Sequence, residues 1–89
     1  MHFTWDPRKA ASNLRKHGVS FEEAASVFAD SLALAIEDLI DPGRTLLIWI
    51  SERSRVLVTV YAELDEGTVR IISARRATSH ERRSYEEGT

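Results

Sequence analysis

Leu46-Leu47-Ile48-Trp49-Ile50, then Ser51-Glu52-Arg53-Ser54, then Val56-Leu57-Val58-Thr59-Val60-Tyr61 is the stretch that decides the fold. Two runs rich in β-branched and aromatic residues flank a short polar segment, the pattern of a β-hairpin. The neighbouring sequence extends it. Downstream, Asp65-Glu66-Gly67 is a turn and Val69-Arg70-Ile71-Ile72 a further strand. Upstream, Leu32, Leu34 and Ile36 alternate with Ala33, Ala35 and Glu37, which predicts a strand closed by the turn Asp41-Pro42-Gly43. Four consecutive strands with short connections predict an antiparallel sheet, since parallel neighbours need long crossovers.

Helices are expected on both sides of this block. His2 to Trp5 is a short β-prone segment, and Asp6-Pro7 then opens a basic helix to about His17. Asp6 suits the N-cap, Pro7 the first helical position and Gly18 the left-handed stop. Ala10, Ala11 and Leu14 form its narrow apolar stripe. Ser20-Phe21-Glu22-Glu23 is a capping box: the Ser20 hydroxyl meets the Glu23 N–H, and the Glu23 carboxylate returns to the Ser20 N–H. Val19 and Ala24 have the spacing of a hydrophobic staple, and the helix is expected to reach about Ala29. Thr78-Ser79-His80-Glu81 repeats the box and opens a last helix to about Tyr85, with a frayed end from Glu86 to Thr89. The expected order is β-α-α-β-β-β-β-α, an α+β domain over residues 1–89 with helices packed against the sheet. Trp5, Phe28 and Trp49 are expected in the core.

The 89 residues carry 43% hydrophobic and 29% charged side chains, ordinary values for a folded soluble chain. No cysteine is present, which removes disulfides and thiolate metal sites. No apolar run is long enough to span a bilayer, and the start has no signal-peptide pattern, so the expected location is the cytoplasm. No P-loop, dinucleotide fingerprint or nucleophile elbow is present. His2, His17 and His80 are widely spaced and fit no zinc pattern, so neither a metal nor a cofactor is expected.

Net charge is -2, but its distribution is uneven. From Arg8 to His17 the charged residues are Arg8, Lys9, Arg15 and Lys16, without an acid. From Ser20 to Asp41 they are Glu22, Glu23, Asp30, Glu37, Asp38 and Asp41, without a base. From Val69 to Arg83 five arginines face Glu81 alone. The basic segments suit a polyanion and the acidic one a basic partner.

These residue types point to phosphodiester chemistry. RNA carries its own nucleophile, the 2′-hydroxyl. A protein need only orient it, move protons and stabilise charge on the phosphate. Arg75 and Arg76 are the candidate charge-stabilising groups, because a guanidinium fork meets phosphate oxygens bidentately. His17, His80 and Tyr85 are the candidates for proton transfer. Arg15, Lys16, Arg53, Arg55 and Arg82 are the candidate substrate-binding residues. The competing reading is a non-catalytic binding module, or a co-repressor subunit gripping a partner protein or nucleic acid.

Trp5-Asp6-Pro7, Asn13-Leu14-Arg15-Lys16-His17-Gly18-Val19, Phe21-Glu22-Glu23-Ala24, Phe28-Ala29-Asp30, Arg70-Ile71-Ile72-Ser73-Ala74-Arg75-Arg76-Ala77-Thr78, Glu81-Arg82 and Tyr85 together resemble the BrnT toxin family, in order and over nearly the whole chain. The resemblance implies a small RelE-like fold and ribonuclease activity that arrests translation. It also implies a BrnA-like antitoxin with a ribbon-helix-helix part, through which alone the complex meets DNA, and room for a higher-order toxin–antitoxin oligomer. Two positions depart from the family pattern. Ile50 stands where a Gly is usual, and Leu64 where an arginine is frequent; Arg53 and Arg55 are the candidates to replace that arginine.

Overall fold

Asp6 begins the first helix as expected. Its Oδ1 accepts from the Arg8 N–H at 2.8 Å, Pro7 follows, and α1 runs Pro7–His17. Gly18 ends it at φ +69°, its N–H donating to the Leu14 carbonyl at 2.9 Å. The computed structural model describes every residue except Leu39 and Thr89, and of Glu37 only the backbone. The element order is β1 (His2–Thr4), α1, α2 (Phe21–Ala24), a 3-10 turn (Val27–Ala29), β2 (Leu34–Glu37), β3 (Thr45–Ile50), β4 (Val56–Asp65), β5 (Thr68–Arg76) and α3 (Ser79–Glu87). This is the order expected, with three adjustments. The second helix breaks after one turn and resumes as the 3-10 turn. Arg75 and Arg76 lie within β5. The last helix continues to Glu87, and Gly88 caps it in the left-handed region; Thr89, expected in a frayed end, lies outside the described residues.

The sheet has five strands in the order β1-β5-β4-β3-β2. It is mixed, and this corrects the antiparallel expectation. β2 to β5 are antiparallel in sequence, but β1 lies parallel to β5 with His2 opposite Thr68 and Thr4 opposite Arg70. The crossover rule is satisfied rather than broken, because everything from α1 to β4 separates the two parallel strands.

One irregularity controls the site. Val60 faces Ser73 while Tyr61 faces Ile71, so Ile72 is an extra residue in β5. A bulge of this kind reverses the side-chain alternation beyond it. Val69 and Ile71 point into the main core, and after the bulge Ala74 does so as well.

The main core lies between the sheet and α1 with α2. Phe21, Val27, Trp49, Leu57 and Ile71 are almost completely buried there. The Trp49 indole N–H donates to the Thr59 hydroxyl at 2.8 Å, so its polar atom is satisfied. The opposite face is thinner. Ile48 and Val58 are buried under Leu34, Leu46, Val56 and Tyr85 of α3. Of the aromatics expected inside, Trp49 is buried and Trp5 half-buried, whereas Phe28 is 41% exposed. Phe28 still stacks on Phe3 and meets Tyr61 edge-on.

The expected stripe on α1 is also corrected. Leu14 is 51% exposed, and the helix's only fully buried side chain is Asn13. Its amide donates to the Val19 carbonyl at 2.9 Å and the Ala74 carbonyl at 2.7 Å, and its Oδ1 accepts from the Ala74 N–H at 3.1 Å. β1 pairs β5 only as far as Arg70, so Asn13 completes backbone pairing just beyond the bulge.

Candidate functional site

At the end of the sheet where β4 begins and β5 stops, Ser54, Arg55, Val56, Arg76 and Arg82 line a hollow of about 350 Å³. Three elements converge to make it. The hairpin tip brings Ser54 and Arg55, β5 brings Arg76, and α3 brings Arg82. The tip is held by Ser51, whose N–H donates to the Arg55 carbonyl at 2.9 Å and whose hydroxyl accepts from Arg53 N–H at 3.2 Å. Ser54 adopts φ +59°, alone among the described non-glycine residues in the left-handed region. Backbone strain of this kind is retained where the surroundings enforce it.

The arginines differ in freedom. Arg55 is braced: its Nε donates to Glu23 Oε2 at 3.2 Å, its Nη2 donates to Glu23 Oε1, and it donates to the Gly18 carbonyl at 3.2 Å. Burial alone would raise the Glu23 pKa, but the Arg55 and Ser51 hydrogen bonds and the charges of Arg55 and Arg53 outweigh it and hold the carboxyl below its ordinary range. Glu23 therefore does not complete the expected capping box. Ser20 accepts from the Glu23 N–H at 3.0 Å, while the carboxylate turns to arginine. Among the described residues, neither Arg76 nor Arg82 has a carboxylate within salt-bridge distance.

Arg75 and Arg76 point to opposite sides of the sheet, because they stand opposite Val58 and Leu57, which belong to the two different cores. Arg75 is engaged with α3. Its two terminal nitrogens donate to the two Glu81 oxygens at 2.7 and 2.9 Å. This bidentate bond from Arg75 holds the Glu81 carboxyl down to about pKa 2. Glu81 also closes the Thr78 capping box, accepting from the Thr78 N–H at 2.8 Å. Tyr85 is engaged too. Its hydroxyl donates to Asp30 Oδ2 at 2.6 Å, an oxygen that also accepts from the Ile50 N–H at 2.9 Å. Burial and this bond to an anion push the Tyr85 pKa up to about 12, which is unfavourable for a proton carrier near neutral pH.

Lys16 and His17 stand at a second hollow of about 220 Å³, lined also by Lys9, Ser12, Asn13, Ile72 and Ser73. Arg55, which lines the first hollow, donates to the carbonyl of Gly18, next to His17 of the second. His80 is exposed in the first turn of α3, two residues from Arg82, and residues so spaced on a helix do not face one another. Arg15 and Arg53 are exposed; Arg53 lies 3.8 Å from Glu23. Leu64 is exposed near the far end of β4. Roughly 26 Å of extended strand separates it from Val56, so Leu64 stands at the opposite end of β4 from Arg53 and Arg55. Among the described residues no group of three metal-ligating side chains gathers, and no helix is long and apolar enough to cross a membrane.

Residues 5–81 match the family described as the ribonuclease toxin BrnT of type II toxin-antitoxin systems. The chain belongs to the BrnT family. A solved structure, the Brucella abortus ribonuclease toxin BrnT at 1.1 Å resolution, is similar to it at TM-score 0.75 and 21% identity, covering 89% of this chain and 99% of that one. That likeness establishes a BrnT-like fold. No curated protein matches the chain. Family membership makes this BrnT chain a ribonuclease toxin of a type II toxin–antitoxin system, with an antitoxin as partner.

Three residues that position this BrnT site escaped the sequence reading of function. Asn13 and Glu23 looked like an ordinary helix interior and an ordinary cap. The available signal was polarity at helix positions that should face the sheet. Ser54 carried no signal, because a left-handed serine in a hairpin tip is indistinguishable in sequence from any polar turn residue.

Proposed function

We propose that this chain is a metal-independent endoribonuclease that binds the scissile phosphate in the hollow lined by Arg55, Arg76 and Arg82. The observation that carries the reading is that two of these residues, Arg76 and Arg82, line one hollow without a carboxylate partner among the described residues. Arg55 supplies a braced wall, and Arg75 acts indirectly by fixing α3 and hence Arg82. The 2′-hydroxyl oxygen attacks phosphorus and loses its proton, a 2′,3′-cyclic phosphate forms, and the 5′-oxygen leaves with a proton. Arginines facing the equatorial oxygens stabilise the charge that builds there.

In this reading the fold belongs with RelE-like ribonucleases, and the protein works in the cytoplasm on RNA to stop translation. A BrnA-like ribbon-helix-helix antitoxin inhibits it by covering Arg76 and Arg82, and only through that partner does the complex reach DNA. A complex in which both arginines stay open to solvent would overturn inhibition by coverage.

The test is cleavage of RNA by purified chain in a chelator. Cutting is expected to persist, to stop on RNA with 2′-deoxyribose at the scissile position, and to fall roughly 100-fold or more in Arg76→Ala. RNA binding without cutting would instead favour the non-catalytic module.

A further inference from the structure

Residues at i, i+3, i+4, i+7 and i+8 share one face of a helix. On α1 that series is Lys9, Ser12, Asn13, Lys16 and His17, and these five residues line the second hollow together with Ile72 and Ser73 of β5. That face carries two ammonium groups, a hydroxyl, an amide and an imidazole. Asn13 is the exception that explains the arrangement. It alone is buried, and its three hydrogen bonds to Ala74 and Val19 pin the helix against the strand at the bulge. The lysines on either side of it remain exposed. Among the described residues, no carboxylate lies within salt-bridge distance of Lys9 or Lys16.

We infer that this second hollow holds a further phosphate of the same RNA strand, so that the substrate is a single-stranded segment spanning two anion sites. The choice of occupant rests on the proposed nuclease reading of the first hollow. Two features favour a nucleic-acid backbone over an acidic peptide. The lining offers hydroxyl donors from Ser12 and Ser73 beside the ammonium groups, a set matched to phosphate oxygens. The hollow also lies along the same strand as the arginine site: Ser73 and Arg76 are three positions apart on β5, about 10 Å of strand, and Arg55 of the first hollow donates to the carbonyl of Gly18, next to His17 of the second. The bulge at Ile72 sets the direction of this part of β5, and so the geometry between the two sites.

The experiment measures binding of the full chain to 2′-O-methyl oligoribonucleotides, which cannot be cut, as a function of salt and of length. Each phosphate contact on a single strand contributes about 0.7 to the slope of log affinity against log salt. Lys9→Gln and Lys16→Gln are each expected to lower that slope by about 0.7, with the folded circular-dichroism spectrum retained. Arg8→Gln, on the same helix but off that face, is expected to change it less. Wild-type chain should gain affinity when a dinucleotide is lengthened, and the Lys9→Gln/Lys16→Gln double variant should lose most of that gain. An unchanged slope in both single variants would overturn the inference. So would lysine variants that bind RNA unchanged but no longer bind the antitoxin, which would make the hollow a protein-docking site. Cleavage of unmodified RNA reports separately on the first hollow: wild-type chain that cuts nothing, yet still shows the lysine-dependent slope, removes the nuclease reading and leaves the second phosphate site standing.

Discussion

Arg75 and Arg76 are chemically identical neighbours with different physical situations. Arg75 is bound at both terminal nitrogens to Glu81, and Arg76 has no carboxylate beside it among the described residues. Arg76→Ala should therefore impair cleavage while leaving thermal stability nearly unchanged. Arg75→Ala should lower the melting temperature, and any loss of activity should follow the loss of α3. Assays of cleavage and of thermal unfolding on the two variants separate these outcomes; equal stability in both would contradict the bracing role. Asn13 gives a sharper stability expectation. Alanine there removes all three hydrogen bonds and leaves backbone groups of Ala74 and Val19 unpaired in a buried place. Each such group costs about 1–3 kcal/mol, so Asn13→Ala should destabilise by at least about 2 kcal/mol in urea unfolding. Leu14→Ala, half-exposed one residue on, should cost less than about 1 kcal/mol.

At the scale of the element, α3 depends on polar contacts for its seating. None of its residues is fully buried, and among the described residues two polar contacts, Arg75–Glu81 and Tyr85–Asp30, tie it to the rest. Both contacts titrate, at opposite ends of the pH scale. The Glu81 carboxyl falls from its ordinary 4.5 to about 2 in the folded chain, so its contribution is fully present above about pH 4.5 and is lost as pH drops through about 2. The Tyr85 hydroxyl rises from 10 to about 12, so its contribution is fully present below about pH 10 and is lost as pH climbs through about 12. Wild-type stability should decline in both windows. Tyr85→Phe should abolish the alkaline share and Glu81→Gln the acid share, each read from pH-dependent melts. The caps of α1 and α3 were legible because Asp6-Pro7 and Thr78-x-x-Glu81 act within one turn of chain. The second helix was not, since Glu23 is drawn to Arg55 of a distant hairpin, and local sequence does not record that competition.

At the scale of the whole molecule, the β3–β4 hairpin and the strand after it could be read directly, because adjacent antiparallel strands depend on short-range pattern. The parallel pairing of β1 with β5 could not, since it joins segments more than sixty positions apart. The same limit applied to the site. Residue types in Arg55, Arg76 and Arg82 announced an anion-binding chemistry, but which arginines are free depended on the Ile72 bulge and on Glu23 and Glu81. The core itself is ordinary: Trp49→Ala should cost about 3–5 kcal/mol and should disable the toxin by unfolding it, which soluble yield and near-ultraviolet dichroism would reveal.

The β1–β5 pairing has a consequence for the order of events during synthesis. A ribosome extrudes His2–Thr4 long before Thr68–Arg70 exists to receive it, and Asn13 waits almost as long for Ala74. Arg76 and Arg82 emerge later than either. A partly made chain thus has neither its edge strand seated nor its phosphate-binding groups assembled, and nascent fragments ending before residue 68 should be protease-sensitive and harmless to the cell that makes them.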